Sequence, residues 1–387
     1  MKKWKNGSVV LACEELKEHI KGKKIALMMN ASAIHNDGRL LMDVIVEEKW
    51  ADVAFFFGME HGVRGNFYAC GSDVNDIDEK TGVKIINLYH CPGYRPPVED
   101  ARKVDAVVFC AQDIGIRHWT YTPWMIMLLD TAAQAGCEVI ILDRPNPIRG
   151  DIVEGCCSEE KYFGTLLSAY DYPLRHGMTI GELAHMYNEE KHIGAKLTVL
   201  KMKGWTRDMW YEDTGLVWLP PSPNIPTVDT GLYFGATGLL QAADISLGIK
   251  TTTPFQYVGR PDFDGEKLAK ELNSRGLEGV FFVPKYYMAA TYASNGEVCL
   301  CDGVMIVIAD RNVFRPVTTQ LHIFDALAKM YGDKIDFEYS ASYARKRTAT
   351  DDLYDLLEKG ESVLSLVDPW EKNAAEFAAR REKYLLY

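Results

Sequence analysis

No run of about 18 apolar residues occurs anywhere in the 387-residue chain, so no segment is long enough to cross a bilayer as a helix. Positive charge is in short supply: 43 Lys and Arg stand against 54 Asp and Glu, a formal net charge of -11. That balance excludes the basic stripe of a nucleic-acid surface and offers nothing to an anionic membrane. The junction after the first apolar segment, MMNASAIHNDG, lacks a G-x-G-x-x-G turn, and no G-x-x-x-x-G-K-[ST] occurs. A nicotinamide or nucleotide cofactor is therefore not expected, and none of any kind is invoked. The nine cysteines include a Cys156-Cys157 pair and a Cys299-x-Cys301 pair but no C-x-x-C, which reads as free thiols in a reducing compartment. Histidines at H-x-x-x-H spacing are also missing, and no metal is expected. The N-terminal MKKWKNGSVVLAC has a basic start, but its apolar part is only Val9 to Ala12 before Glu14 and Glu15. That is too short for the core of a signal peptide, and a cytoplasmic location is expected.

What is present is a globular composition, 47% hydrophobic and 25% charged, with length enough for two domains. Lys24 to Met29 reads as a first strand, Val53 to Phe57 as a second, then Lys84 to Leu88, Ala106 to Cys110 and Glu138 to Leu142. Leu40 to Trp50 has apolar residues at helical spacing, and Pro123 to Ala135 reads as a helix with proline at its start and Gly136 past its end. Strands that are apolar at consecutive positions are covered on both faces. Alternating with helices, they predict an α/β, Rossmann-like, doubly wound and mainly parallel sheet.

In such a sheet the carboxyl ends of all strands lie on one edge, where ligands bind. The polar residues that follow each strand are therefore predicted to meet in one crevice. They are Asn30 and Ser32 after the first, Glu60, His61 and Arg64 after the second, Tyr89 and His90 after the third. Gln112, Asp113 and Arg117 follow the fourth, and Asp143, Arg144 and Asn146 the fifth. The stretch AFFFGMEHGVRG, residues 54 to 65, is the most suggestive, because a buried run stops at a glycine and hands over to Glu60. Glu60 is the candidate catalytic residue, although a plain polar turn leaving a sheet has the same pattern.

Further along, two prolines bracket Asn146 in a rigid loop that closes at Glu154. Thr179 and Glu182 form a capping box for a helix Ile180 to Glu189, and Leu197 to Met202 is another strand. The proline run Pro220 to Pro226 marks a boundary between domains at 1-220 and 221-387. Beyond it, Asp264 to Ser274 and Val317 to Tyr331 read as helices, Val280 to Val283 and Val304 to Ile308 as strands. Asp368-Pro369-Trp370-Glu371 reads as a capped start of a last helix.

Several long motifs in fixed order, GMEHGVRG, QDIGIRHWTY, LDRPNPIRGDIVEG, PLRHGMTIGELA, MKGWTR, TGLVWLPPSPNIPT and REKYLLY, resemble the DUF1343 family. The resemblance runs from about Lys24 to Tyr387. Characterised members of that family are NamZ-type exo-β-N-acetylmuramidases, glycoside hydrolases that release N-acetylmuramic acid from peptidoglycan fragments. The resemblance implies a Rossmann-like domain, a second, smaller α/β domain and a cleft between them. It assigns the working carboxylates to Glu60 and Glu154. It also brings Asp113 and Arg117, the loop Asp143 to Pro147, and Ser222 and Asn224 into the site. Three positions depart from the family pattern: Met59 replaces a proline, Cys110 an acidic residue, and Ser246 to Thr251 (SLGIKT) replaces S-x-G-R-G-T.

Glycoside hydrolysis generally uses two carboxyl groups, one to protonate the leaving oxygen and one to attack or to activate water. Glu60 is assigned as general acid and Glu154 as the second carboxylate. A 2-acetamido sugar can supply its own nucleophile, in which case one acid and an orienting partner, Asp113 or Asp143, suffice. Glu154 also reads as an ion pair with Arg149 or Arg144 that only fixes its loop. Arg64, Arg117, Arg144 and Arg175, the last beside His176 at a helix entrance, are candidates for a lactyl carboxylate. Each has a salt-bridge reading as well. Tyr121 is a candidate stacking face for a sugar ring. The expected substrate is a small carbohydrate, a muropeptide or amino-sugar disaccharide. Two alternatives stand beside the glycosidase: a metal-dependent hydrolase using Glu60, His61, His118, Asp143 and His176, and a non-catalytic amino-sugar-binding protein.

Overall fold

A computed structural model describes residues 9–67, 77–291 and 296–387; the basic start examined above, residues 1–8, lies outside them. Six strands form one sheet: β1 (Lys24–Met29), β2 (Asp52–Gly58), β3 (Lys84–Asn87), β4 (Ala106–Cys110), β5 (Glu138–Leu142) and β6 (Lys196–Leu200). Their order is β3-β2-β1-β4-β5-β6, and every neighbouring pair is parallel. The chain moves outward from β1 through β2 and β3, then returns to the other side of β1 at β4. The strand order thus reverses between β1 and β4, the point on the carboxyl edge where open α/β sheets bind ligands.

Side-chain alternation divides the core into two layers. Ile25, Leu27 and Met29 of β1 join Val108 and Ile140 beneath α1 (Cys13–Ile20) and α2 (Leu41–Glu47). Ala26 and Met28 join Phe57, Val107, Phe109 and Ile141 beneath α3 (Val98–Ala101), α4 (Tyr121–Ala135) and α5 (Ile180–Glu190). This two-sided cover is what the consecutive apolar positions predicted, and each fully buried Leu, Ile or Phe contributes about 1.5–3 kcal/mol. Helix α4 starts two residues before Pro123, which sits in the first turn where its missing N–H costs nothing, and Gly136 ends it in the left-handed conformation at φ 81°. The Thr179–Glu182 capping box forms as read. Strand β6 stops at Leu200, short of Met202, because the chain turns there to let Lys203 pair with Val10.

The second domain holds a three-stranded antiparallel sheet, β7 (Tyr257–Arg260), β8 (Val280–Ala290) and β9 (Val298–Ile308), in the order β7-β9-β8. Around it lie α6 (Asp229–Thr237), α7 (Gly265–Asn273), α8 (Pro316–Tyr331), α9 (Ala341–Thr348), α10 (Asp352–Lys359) and α11 (Val367–Arg381). Asp264 caps α7 by accepting from the Lys267 N–H at 3.0 Å. Strands β8 and β9 run to 11 residues each, well beyond the short segments expected. Their outer halves bury Tyr287, Ala289 and Cys301 and expose Tyr286, Met288, Val298 and Leu300, so both faces are apolar and no polar alternation marks them in the sequence. Helix α6 was not among the expected elements. Its Gly231 and Gly235 lie against Ile114, Ile148, Ile116 and Pro316, so glycines that lower helix propensity here permit close packing on the first domain.

Candidate active site

Glu60 sits two residues beyond β2, half-buried, on the carboxyl edge beside the strand-order reversal. The turn that carries it is unusual. His61 has φ 66° and Gly62 φ 73°, and a side-chain-bearing residue in that region is uncommon and is held only by its surroundings. His61 is 6% exposed, and its Nδ1 is 3.0 Å from the Phe67 carbonyl. Its ring is thus bound to its own loop.

The ends of β1 and β4 meet the Glu60 turn through Tyr121, the first residue of α4. The Tyr121 hydroxyl donates to the Pro221 carbonyl at 2.6 Å, accepts from Asn30 Nδ2 at 2.5 Å, and lies 3.5 Å from the Glu60 carbonyl. Asn30 Oδ1 in turn accepts from Ser32 N at 3.0 Å and Ser32 Oγ at 2.5 Å, and Ser32 Oγ accepts from Gln112 N at 3.0 Å. The expected stacking role of Tyr121 is therefore corrected: the residue is fully buried and its hydroxyl is engaged by the protein. Ser222, also buried, accepts the Asn224 N–H at its Oγ, and Asn224 is half-buried on the same loop. Asn30, Glu60, His61, Gln112, Tyr121, Ser222 and Asn224 are thus brought into one neighbourhood.

Behind them lies a buried polar layer. Asp113 Oδ2 accepts from Gly115 N at 2.7 Å and lies 3.1 Å from His176 Nε2. Because Met178 N donates to His176 Nδ1 at 3.2 Å, the ring proton is on Nε2 and points at Asp113. Asp143 accepts from Thr179 Oγ1 at 2.6 Å, Gly181 N at 2.9 Å and the Tyr387 hydroxyl at 2.9 Å. Burial raises its pKa to about 6 against these hydrogen bonds. Asn146 bridges the Met178 carbonyl and the Ile148 N–H. Arg144 Nε donates to Gln112 Oε1 at 3.0 Å, and the guanidinium stands beside the thiol of Cys110 and the phenol of Tyr211. All five, Asp113, Asp143, Arg144, Asn146 and His176, are at most 4% exposed. They hold the loops behind the site.

Three expected anion ligands and one expected catalyst are corrected by their surroundings. Arg117 is wholly buried, and its guanidinium donates to the carbonyls of Cys156, Tyr172 and Thr348. Arg175 is wholly buried as well; Nη1 donates to Glu154 Oε1 at 2.5 Å and Nη2 to the Ile148 carbonyl at 2.5 Å. Arg64 is locked between Asp43 at 2.7 Å and Asp78 at 2.6 Å. Glu154, 7% exposed, gives its other oxygen to the N–H of Val317 in the first turn of α8. Both carboxylate oxygens of Glu154 are thus engaged by the protein. Glu154 borders a cavity of about 360 Å3 between residues 151–155, α8 and α11. The residues that line this cavity include none of Asn30, Glu60, Tyr121 or Pro221. Nothing in the contacts of Glu154 joins it to Glu60, and the expected ion pair of Glu154 is with Arg175, where Arg149 or Arg144 was proposed.

Among the described residues, no group of three or more His, Cys, Asp or Glu side chains is placed to hold a metal ion. The SLGIKT segment is a turn packed against β7. Ser246 pairs with Gly259 there, and Lys250, at φ 68°, stands where the family pattern has its second glycine.

The family model described as exo-beta-N-acetylmuramidase NamZ, N-terminal, matches residues 25–229, and the corresponding C-terminal model matches residues 232–387. The chain is 37% identical over 377 residues to peptidoglycan beta-N-acetylmuramidase NamZ of Bacillus subtilis (strain 168), covering 96% of this chain and 89% of that protein. Two crystal structures of DUF1343 family proteins from Bacteroides fragilis NCTC 9343 superpose on it. The first has a TM-score of 0.88 at 31% identity, covering 99% of this chain and 100% of the other. The second has a TM-score of 0.74 at 27% identity, covering 98% and 99%.

Proposed function

The chain belongs to the NamZ family of exo-β-N-acetylmuramidases, and from that membership we propose that it is a glycosidase releasing terminal β-linked N-acetylmuramic acid from peptidoglycan fragments. Its substrate is a muropeptide or an amino-sugar disaccharide. Glu60 is the general acid. The observation that carries this assignment is its position: half-buried, on the carboxyl edge of the sheet, next to the reversal of strand order, and within 3.5 Å, through its carbonyl, of the Tyr121 hydroxyl.

The buried states of the other candidate carboxylates favour a one-acid route. Glu154 has its two oxygens on Arg175 and the start of α8, and Asp113 and Asp143 are enclosed among protein donors. In the proposed reaction Glu60 gives its proton to the glycosidic oxygen while the substrate's 2-acetamido oxygen attacks the anomeric carbon. The leaving alcohol departs with that proton, and a cyclic oxazolinium forms. Water then adds at the anomeric carbon, Glu60 takes a proton from it, and the configuration is retained. The cytoplasm is the proposed place of work, supported by the eight described cysteines, which all remain free thiols.

The test is turnover of a chromogenic β-N-acetylmuramic acid glycoside against the matching N-acetylglucosamine glycoside, with and without chelator, and the anomer followed by NMR. Hydrolysis of the first, indifferent to chelator and giving the β-anomer initially, is expected. No turnover of either glycoside would overturn the activity, and an α-anomer product would overturn the one-acid route.

A further inference from the structure

The hydrogen bonds behind Glu60 form a chain in which every proton has one direction. Ser32 donates to Asn30 Oδ1 from both its N–H, at 3.0 Å, and its hydroxyl, at 2.5 Å, which fixes the amide so that its NH2 faces Tyr121. The Ser32 hydroxyl, its proton committed, accepts from Gln112 N at 3.0 Å. The Tyr121 hydroxyl, accepting from Asn30 at 2.5 Å, has its own proton left for the Pro221 carbonyl at 2.6 Å. The run is therefore Gln112 N–H to Ser32 to Asn30 to Tyr121 to Pro221, and it joins the end of β4, the end of β1, the start of α4 and the loop that opens the second domain. In a buried setting such a chain is strong when complete and costly to break at any link.

We propose that Tyr121 is a positioning residue for the reaction assigned above: its hydroxyl holds the Pro220–Asn224 loop at a set distance from the Glu60 turn. The proposal rests on that functional reading for its catalytic consequence, not for its geometry. Two features make the anchor effective. The loop beyond it is stiff, because Ser222 accepts the Asn224 N–H at its Oγ, at 3.1 Å, and the Ile225 N–H at its carbonyl, at 3.0 Å. Fixing Pro221 therefore fixes Asn224. On the other side the Glu60 carbonyl is 3.5 Å from the same phenol oxygen, so one atom sets the separation of a loop from each domain. The ring beneath is held separately, edge to face with Trp119 at 5.4 Å, and a phenylalanine retains that packing.

The experiment compares Tyr121→Phe, Ser32→Ala and the double variant with the wild type. Tyr121→Phe is expected to lower kcat by about 10- to 100-fold with KM within about threefold, as a misplaced but intact site should. Ser32→Ala is expected to lower kcat as well, and the double variant to be no slower than Tyr121→Phe alone, because one chain is already broken. Amide exchange at Asn224 and Ile225 should speed up by about tenfold or more in Tyr121→Phe. Retention of kcat within twofold, a rise in KM alone, or multiplicative losses in the double variant would overturn the positioning role. Unchanged exchange at Asn224 and Ile225 would overturn it even in a protein that turned over no glycoside, whereas faster exchange with an inactive wild type would sustain the anchor and sink only the functional reading.

Discussion

Arg175 and Glu154 are each other's counter-ion inside the protein, with Nη1 2.5 Å from Oε1 at 0% and 7% exposure. Removing one member leaves the other charge buried and unpaired, a loss of about 3–5 kcal/mol. Glu154→Ala is therefore expected to lower the urea midpoint sharply, whereas the acid limb of the pH–rate profile of whatever enzyme remains folded should stay in place. A shift of that limb with little change in stability would mean that Glu154 takes part in proton transfer after all.

Glu60→Gln should behave in the opposite way. The carboxylate is half-buried at the sheet edge, and its neutral isostere keeps size and hydrogen bonding but carries no transferable acid proton. A fall in kcat of about 100-fold or more is expected, with Tm within a few degrees of the wild type. An active Glu60→Gln enzyme would remove the assignment of the acid.

Asp143 gives the stability a recognisable pH dependence. Burial raises its pKa to about 6 from 3.8. Because the folded value lies above the unfolded one, the protonated form is favoured by folding. Its contribution is complete below about pH 4 and is lost as the pH rises through about 6, roughly 3 kcal/mol for a shift of about two units. Urea titrations at pH 4, 5, 6 and 7 should show a downward component in the wild type that is missing from Asp143→Asn. Parallel curves for the two proteins would contradict the raised value.

Lys250 occupies a left-handed position, φ 68°, in an exposed turn where the family pattern has glycine. Such a conformation costs a side-chain-bearing residue about 1–2 kcal/mol. Lys250→Gly is thus expected to raise Tm by a few degrees, with part of the gain offset by the greater freedom of glycine in the unfolded chain. A lower Tm would show that the lysine side chain contributes more than its backbone costs.

Much of the fold could be read from local pattern. The five strands from β1 to β5, buried on both faces, declared themselves through consecutive apolar residues, and the α5 cap through Thr179 and Glu182. What escaped was set by tertiary contact. Helix α6 is glycine-bearing because it presses on Ile114 and Ile116, and the outer halves of β8 and β9 carry apolar residues on their exposed face as well as on the buried one, which hides the alternation. At the site, the sequence identified the loops but not the direction of the side chains. Arg117, Arg175 and Arg64 look like anion ligands until their partners are seen, and Glu154 looks like Glu60's twin until Val317 and Arg175 are found on its oxygens. The one such signal in the sequence is the departure at Cys110. The Arg144 guanidinium stands beside that thiol, where the family pattern supplies an acid, and the departure bears on Arg144 alone.

The hydroxyl of Tyr387 reaches Asp143 at 2.9 Å, and the Leu386 N–H reaches Glu182 at 2.8 Å. Two carboxyl groups of the first domain therefore receive these partners from the far end of the sequence. During synthesis on the ribosome, the first domain stays short of these partners until residues 386 and 387 have left the exit tunnel. A nascent chain arrested before that point should be open to proteolysis around β5 and α5, and one that has passed it closed.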